Sequence, residues 1–230
     1  MRDYRSGENP ARWKGHLEHV LPNGGQVAKV EHHPALPYQD MPGFIAKLRT
    51  RQGAAASALL FAILTAARTN EVVGARWSEV DLKNKTWTVP AERMKAGKAH
   101  KVPLSDQPVA LLRALYRDGH GDGFLFIGSR PGAALNAKAL HRLLARMGEA
   151  VTVHGFRSSF RTWAAEQTNF PREVGEQALA HIISDKVEAA YKRTTLFDKR
   201  RQLMAAWAKY VTTPPVQRRA RDNVVAIGAR

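Results

Sequence analysis

One stretch of the sequence, residues 80–104, has the residue pattern of a small β-sheet. Within it, Trp87-Thr-Val89 and Lys101-Val-Pro-Leu104 have the pattern of two short strands. The turn-like sequences Lys83-Asn-Lys85 and Ala96-Gly-Lys98 precede and separate these runs. The pattern therefore predicts a small antiparallel sheet, which restricts the chain to folds that hold a few short strands.

Helical patterns dominate the rest of the sequence between residues 38 and 211. Apolar residues recur there at spacings of three and four, which place them on one face of a helix. The predicted helices cover residues 57–68, 108–116, 136–147, 158–166, 172–179, 185–192 and 198–210, with another after Asp40. We therefore expect a predominantly helical α+β domain over residues 38–211, for which 44% hydrophobic residues provide a sufficient core.

The two ends of the chain differ from this domain in composition. Residues 1–37 are polar and interrupted by prolines and glycines, which predicts a linker or the remnant of a preceding domain. Residues 212–230 contain Pro214-Pro215 followed by Arg218, Arg219 and Arg221. This pattern predicts a basic, flexible tail.

The chain is strongly basic, with 36 Lys and Arg against 20 Asp and Glu and a net charge of +16. We therefore expect a polyanionic partner, with nucleic acid favoured over an anionic membrane surface. The absence of cysteine excludes disulfides and thiolate metal sites, and it suits a reducing compartment. The most apolar stretch, residues 58–67, is much shorter than the roughly 20 residues that span a bilayer, and no signal-peptide pattern is present. A cytoplasmic, nucleoid-associated protein is expected.

Two arginines, two histidines and a tyrosine follow one another in an order that suits phosphodiester cleavage. They are Arg68, the pair His154 and Arg157 in His-Gly-Phe-Arg, His181, and Tyr191. An arginine fork matches phosphate oxygens, a histidine transfers protons near neutral pH, and a tyrosine supplies an oxygen nucleophile. Together they predict cleavage without a metal or any other cofactor.

Each of these motifs also has an ordinary explanation when it is taken alone. Arg68 with Glu71 three residues later is a common surface ion pair, and a lone tyrosine such as Tyr191 is usually a packing residue. The histidines His16, His19 and His32-His33 lack the spacing of a metal site, and surface positions explain them best. Only the combination of the five residues favours a catalytic role over these ordinary explanations.

In this order the five residues resemble the tyrosine recombinase family of phage-type integrases. The resemblance extends from about residue 35 to residue 211. The ending Ala190-Tyr191-Lys192-Arg193, followed by Arg200-Arg201-Gln-Leu-Met204 and Trp207, is similar to prophage and genomic-island integrases. Ala180 departs from the family pattern, since many relatives have glycine before the second histidine. The resemblance implies an integrase-like catalytic domain with a small antiparallel sheet.

The resemblance also implies a role for each matching residue. Arg68 and Arg157 would bind the scissile phosphate, and Tyr191 would attack it to leave a 3′-phosphotyrosyl bond and a free 5′ hydroxyl. His154 and His181 would assist by proton transfer and hydrogen bonding, and Glu71 would position Arg68. The sequence Met94-Lys95-Ala-Gly-Lys98 resembles the family's lysine hairpin. Lys95 would therefore protonate the leaving oxygen, with Lys98 as the competing choice; Lys98 and Arg161 are further predicted DNA contacts.

The implied partner is double-stranded DNA at attachment sites. The chain is expected to form a homo-tetramer on this DNA and to be a monomer in isolation. The segment 207–211 and the tail are candidate contacts between subunits. Residues 1–37 do not match the DNA-binding domain that usually precedes this catalytic domain, so the chain is expected to be a fragment or a truncated product. Two alternatives stay open: a type IB topoisomerase, and a remnant that binds DNA without cutting it.

Overall fold

The computed structural model describes residues 8–21, 34–116, 121–181 and 195–214. The chain divides into two compact units, residues 1–33 and residues 34–230. In the first unit, Trp13–Leu17 form a turn in which Lys14 and Gly15 depart from helical geometry, and a short α-helix follows at Glu18–Val20. Neither segment contains a buried residue. The assignment of residues 1–37 as a linker or remnant stays a prediction.

In its described residues, the second unit is a helical domain with one small sheet. Its helices are α1 (Met41–Arg49), α2 (Ala54–Thr65), α3 (Thr69–Val73), α4 (Asp106–Leu115), α5 (Lys138–Arg146), α6 (Gly155–Gln167), α7 (Arg172–Ala178) and α8 (Phe197–Thr212). Strands β1 (Val80–Asp81), β2 (Thr86–Val89) and β3 (His100–Pro103) form an antiparallel sheet in the order β1-β2-β3. Trp87 of β2 lies opposite both Val80 and Val102. The predicted fold class is confirmed.

Helix α2 lies at the centre of this domain. Its sequence is apolar on all sides, and it packs against α1, α3, α4, α5 and α8. Trp207 of α8 donates a hydrogen bond from Nε1 to the carbonyl oxygen of Ile63 at 2.8 Å, so the last helix is fixed to the centre. No helix in the described part of the chain is long and apolar enough to cross a membrane.

The tryptophans of the domain are core residues, as their periodic positions predicted. Trp77, Trp87, Trp163 and Trp207 are all buried. Trp163 and Trp207 contact each other with ring centroids 5.1 Å apart, and Phe160 lies 5.5 Å from Trp207. This aromatic cluster joins α6 to α8 and so fixes the position of the helix that begins with the His-Gly-Phe-Arg motif.

The sequence prediction placed Arg68 at the end of the apolar helix, and this was wrong. Helix α2 ends at Thr65 because Ala66 adopts a left-handed conformation with φ of 50°. Arg68 then has an extended conformation and immediately precedes α3. The break turns the chain, so the Arg68 side chain leaves the core at a junction between two helices.

Candidate active site

Arg157 is a deeply buried cation of the candidate site. It lies in the first turn of α6, and only 5% of its surface is exposed. Its Nη1 donates to the carbonyl oxygen of Ala66, and its Nη2 donates to the carbonyl oxygen of Leu179 at 2.6 Å. Burial, with a smaller contribution from the charge of Arg68, lowers the pKa of Arg157 to about 10. The guanidinium is therefore a charged group in a low-dielectric site, held by backbone oxygens.

Arg68 is held by a carboxylate and a carbonyl. Its Nη1 donates to Oε1 of Glu71 at 2.8 Å, and its backbone N–H donates to Oε2 of the same carboxylate at 2.9 Å. Its Nη2 donates to the carbonyl oxygen of Ala180 at 3.1 Å. The Glu71 side chain is 5% exposed and the Arg68 side chain 24%. Glu71 thus orients Arg68, while the arginine keeps an exposed edge.

The two arginines meet at consecutive carbonyl groups. Arg157 bonds to Leu179 and Arg68 bonds to Ala180, immediately before His181. Three distant segments therefore converge, namely the α2–α3 junction, the start of α6 and the end of α7. We call Arg68, Glu71 and Arg157 the arginine centre. With two guanidiniums and one carboxylate, the centre carries a net positive charge.

Two alanines in left-handed conformations supply carbonyls to this centre. Ala66 has φ of 50° and Ala180 has φ of 49°, and their carbonyl oxygens accept hydrogen bonds from Arg157 and Arg68. Left-handed backbone is unfavourable for a residue with a Cβ and favours glycine. Alanine nevertheless occupies this conformation at both positions.

The glycine of the His-Gly-Phe-Arg motif has a steric cause. A Cβ on Gly155 would lie 2.2 Å from the carbonyl oxygen of Pro34 and 2.8 Å from Cα of Ala35. The backbone of residues 34–35 therefore crosses the first turn of α6 at a distance that only glycine permits. That crossing also accepts a hydrogen bond from the N–H of Thr152 at 3.0 Å. It fixes the start of the helix that carries Arg157.

His181 is oriented by a glutamate that the sequence analysis missed. Its Nδ1 lies 2.6 Å from Oε2 of Glu176, and its backbone N–H donates to the Glu176 carbonyl at 3.0 Å. Arg161 donates from Nε to Oε1 of Glu176 at 2.8 Å. Burial acts to raise the pKa of Glu176, but the His181 hydrogen bond and the Arg161 charge together lower it. Because Nδ1 faces the carboxylate, Nε2 of His181 is left for a ligand.

Two other predicted residues have exposed side chains at or next to α6. His154 is exposed directly before α6, and its carbonyl accepts the N–H of Arg157 at 3.0 Å. Arg161, a predicted DNA contact, has half of its side chain exposed while it binds Glu176. The catalytic role of His154 and the DNA contact of Arg161 stay predictions.

Both candidate lysines lie in the connection between β2 and β3, which we call the lysine hairpin (residues 90–99). Lys95 and Lys98 are exposed, and neither makes a hydrogen bond to another residue of the described ranges. A turn closes between them, where the N–H of Gly97 donates to the carbonyl of Met94 at 3.0 Å and Gly97 has φ of 62°. Met94 is buried, which anchors the hairpin beside the domain core.

The base of the lysine hairpin is connected to the arginine centre. Arg93 donates from Nη1 to the carbonyl oxygen of Glu71 at 2.7 Å and from Nη2 to the carboxylate of Glu79. His100 begins β3, and burial together with the charge of Arg200 lowers its pKa to about 4. The charges of Glu71 and Arg68 also act on His100. No sequence pattern pointed to these residues, since each acts through contacts between distant segments.

Tyr191, the predicted nucleophile, lies outside the described residues, within the segment 182–194. The residues on both sides of this segment are described. His181 precedes it and is held by Glu176. Thr195 follows it, and its carbonyl oxygen accepts a hydrogen bond from Nε of Arg200 at 2.9 Å.

Comparison with known proteins identifies the family of this chain. Residues 36–196 match the phage integrase family. The chain belongs to this family. Prophage integrase IntA of Escherichia coli K12 is 33% identical over 183 residues, which cover 77% of this chain and 44% of IntA. The chain thus spans less than half the length of this relative.

Solved integrase structures have the same fold. The integrase of mycobacterium phage Brujita superposes with a TM-score of 0.59 at 20% identity, covering 85% of this chain and 62% of that one. A lambda integrase dimer bound to a COC′ core site gives a TM-score of 0.52 at 17% identity, covering 73% of this chain and 50% of that one. The family resemblance drawn from the motifs is confirmed, and the fold is that of integrases.

Proposed function

We propose that this chain is the catalytic part of a site-specific DNA recombinase that cuts and rejoins DNA through a 3′-phosphotyrosyl intermediate. The observation that carries the proposal is the arginine centre. Two guanidiniums from residues far apart in the sequence meet beside His181, and the carboxylate of Glu71 binds one of them. Membership of the phage integrase family supports the same conclusion.

The charge of the arginine centre suits a phosphodiester. A buried Arg157 and a partly exposed Arg68 exceed the charge of Glu71 by one, and an incoming phosphate oxygen would neutralise that excess. Nε of Arg157 is buried without a hydrogen-bond partner among the described residues, so it is a further donor for an anion. Donors fixed before the reaction stabilise the charge that develops on the non-bridging oxygens in the transition state.

The proposed reaction needs no external energy source. The Tyr191 hydroxyl passes its proton to His154 or His181 and attacks phosphorus, the bond to the 5′ oxygen breaks, and that oxygen takes a proton from Lys95. Lys98 is the alternative donor, and His154 and His181 would hydrogen-bond the phosphate or transfer protons. In the reverse sense, the 5′ hydroxyl of another strand attacks the phosphotyrosine and releases Tyr191. The linkage conserves the energy of the broken bond.

The proposed partner is double-stranded DNA, for which the net charge of +16 provides non-specific attraction. The lambda integrase neighbour is a dimer bound to its core site, which supports a DNA-bound oligomer for this chain. We propose a tetramer on two duplexes, with a monomer in the absence of DNA. Size-exclusion chromatography with light scattering, with and without cleavable DNA, measures both states.

A suicide substrate tests the proposed reaction. The protein is incubated with nicked duplexes tiled across the DNA that flanks its gene, and covalent adducts are detected on a denaturing gel. We expect an adduct with the wild-type chain and none with Tyr191→Phe, which keeps the ring and removes the nucleophilic oxygen. Failure of the wild-type chain to form an adduct with any bound duplex would support the non-cleaving remnant.

A second assay separates a recombinase from a topoisomerase. Two intact duplexes of different length, each carrying the cleaved site, are incubated together with the enzyme. A recombinase joins strands between the two DNA molecules, whereas a type IB topoisomerase relaxes supercoiled plasmid without exchanging strands. Relaxation without any joint between molecules would overturn the recombinase assignment while keeping the phosphotyrosine chemistry.

A further inference from the structure

Arg200 is a buried charge without a carboxylate partner in the described part of the chain. It lies in the first turn of α8, and only 2% of its surface is exposed. Its Nε donates to the carbonyl oxygen of Thr195 and its Nη1 donates to the carbonyl oxygen of Lys101, both at 2.9 Å. Burial lowers its pKa to about 10. A buried guanidinium is costly when no anion compensates it, so its two carbonyl bonds require an explanation.

The two carbonyl groups belong to the two segments that carry the proposed nucleophile and the proposed acid. Thr195 follows Tyr191 by four residues, and four residues span at most about 14 Å. Lys101 lies on β3, directly after the lysine hairpin with Lys95 and Lys98. Thr195 and Lys101 are far apart in the sequence. The Arg200 guanidinium therefore links two segments that are not neighbours along the chain.

The surroundings of Arg200 favour a fixed position. Leu196 has a left-handed φ of 46°, and its carbonyl accepts the N–H of Arg200 at 2.9 Å. The ring of Phe197 lies 5.4 Å from Cζ of Arg200 and 5.4 Å from Nζ of Lys101. His100, the neighbouring titratable group, is kept neutral by burial and by the charge of Arg200. The entry into α8 is therefore held by hydrogen bonds from Arg200 to the carbonyls of Thr195 and Leu196.

We propose that Arg200 is a positioning residue that sets the distance between the segment carrying Tyr191 and the hairpin carrying Lys95. The inference rests on the proposed function. An in-line displacement at phosphorus places the attacking and leaving oxygens on opposite sides, so the groups that serve them must be held at a fixed separation. By bonding to Thr195 and Lys101 together, Arg200 links these two residues to the first turn of α8.

Single-turnover cleavage of a nicked duplex at saturating DNA measures this role in the full chain. Arg200→Met keeps the length of the side chain and removes both hydrogen bonds, and we expect a loss of about 100-fold in the cleavage rate. Arg200→Lys keeps the charge, but its compact ammonium does not reproduce the planar fork, so it should rescue only part of the rate. DNA affinity, measured by gel shift, should stay unchanged.

Arg201→Met is the matched control. Arg201 is the next residue on the same helix, and its side chain donates to the exposed carbonyl of Asn84 at 3.2 Å. We expect this variant to cleave at nearly the wild-type rate. Thermal unfolding is recorded for all variants, and rates are compared at a temperature at which each one is fully folded. A loss that the folded fraction explains completely would overturn the positioning role.

A modified substrate separates positioning from a general loss of structure. A sulfur atom in place of the bridging 5′ oxygen leaves as a thiolate, which needs no proton because a thiol is much more acidic than an alcohol. This substrate should restore cleavage by Lys95→Met. The same substrate should restore cleavage by Arg200→Met only in part, because in this variant the nucleophile is expected to be displaced as well as the acid. Wild-type rates for Arg200→Met on the oxygen substrate would overturn this inference alone. A wild-type chain without any adduct would overturn the proposed function and this inference with it.

Discussion

The arginine centre and the lysine hairpin are proposed to act on the same phosphodiester, yet they are built in opposite ways. In the centre, Arg157 is 5% exposed and Glu71 is 4% exposed, and every segment that contributes is tied by hydrogen bonds to another. In the hairpin, Lys95 and Lys98 are exposed and make no hydrogen bond to other residues of the described ranges. The arginine centre is organised in the free chain, whereas the lysine side chains are proposed to be positioned only by bound DNA.

The difference follows from what each region has to stabilise. Guanidiniums that oppose developing phosphate charge are most effective when they are fixed in a site from which water is excluded. A proton donor must instead reach a leaving oxygen whose position is defined only by bound DNA, and such contacts tighten in the complex. The comparison leads to four predictions, ordered by their effect on cleavage.

Arg157→Ala should have the largest effect. Removing one of two fixed donors is expected to reduce cleavage by about 1000-fold. It also leaves the carbonyls of Ala66 and Leu179 without their bonds, which costs about 1–3 kcal/mol for each buried group. Single-turnover cleavage and urea unfolding measure the two losses. Arg157→Lys keeps a charge without the fork, so cleavage at the wild-type rate by this variant would contradict a preorganised centre.

Lys95→Met should reduce cleavage by about 100-fold, as expected for the loss of general acid catalysis. Because Lys95 is exposed and unbonded among the described residues, the free energy of unfolding should not change. Lys98→Met is the control in the same turn. If Lys98→Met has the large effect and Lys95→Met does not, the acid is Lys98. If neither variant loses activity, the hairpin has no catalytic part and the comparison fails.

Glu176→Gln should reduce cleavage by about tenfold, the equivalent of roughly 1.4 kcal/mol, because His181 loses a charged hydrogen-bond acceptor but keeps a neutral one. The change is isosteric, so Arg161 and α7 should stay in place. A cleavage-rate profile against pH should shift relative to the wild type if Glu176 acts through His181. An unchanged profile with the same tenfold loss would indicate a purely structural role.

The smallest expected effect on cleavage concerns His100. This residue should affect stability in acid and leave the cleavage rate at neutral pH unchanged. Its pKa in the folded chain is lowered to about 4 from an ordinary value of 6.5. Between these values the unfolded chain binds the additional proton, so acid favours unfolding, and the contribution of neutral His100 is lost as pH falls. The free energy of unfolding should decrease by about 2 kcal/mol between pH 7 and pH 5 from this group alone.

His100→Gln isolates that contribution. Asp81, Asp106 and Glu176 also have lowered pKa values, so their contributions also fall with acid in both proteins. The difference between the two unfolding curves therefore reports His100. Parallel curves for wild type and variant would show that His100 takes up its proton in the folded chain without penalty.

Local patterns predicted the elements of this fold well. The strand over residues 87–89 is found at Thr86–Val89, and the helix over residues 172–179 is found at Arg172–Ala178. The pairing of Arg68 with Glu71 also follows from a spacing of three residues. The end of α2 was misplaced because Ala66 adopts a left-handed conformation that normally favours glycine, and an alanine gives no signal for it.

The sequence by itself determined the helical periodicity, the single sheet, the basic charge and the order of motifs that marks the family, because these depend on near neighbours or on residue identity. Only the tertiary structure decided that Arg157 bonds to Ala66, 91 residues away, and that Arg200 bonds to Lys101, 99 residues away. It also decided that Glu176 holds both His181 and Arg161. Backbone carbonyls are present at every residue, so their selection as partners depends on which segments the core brings together.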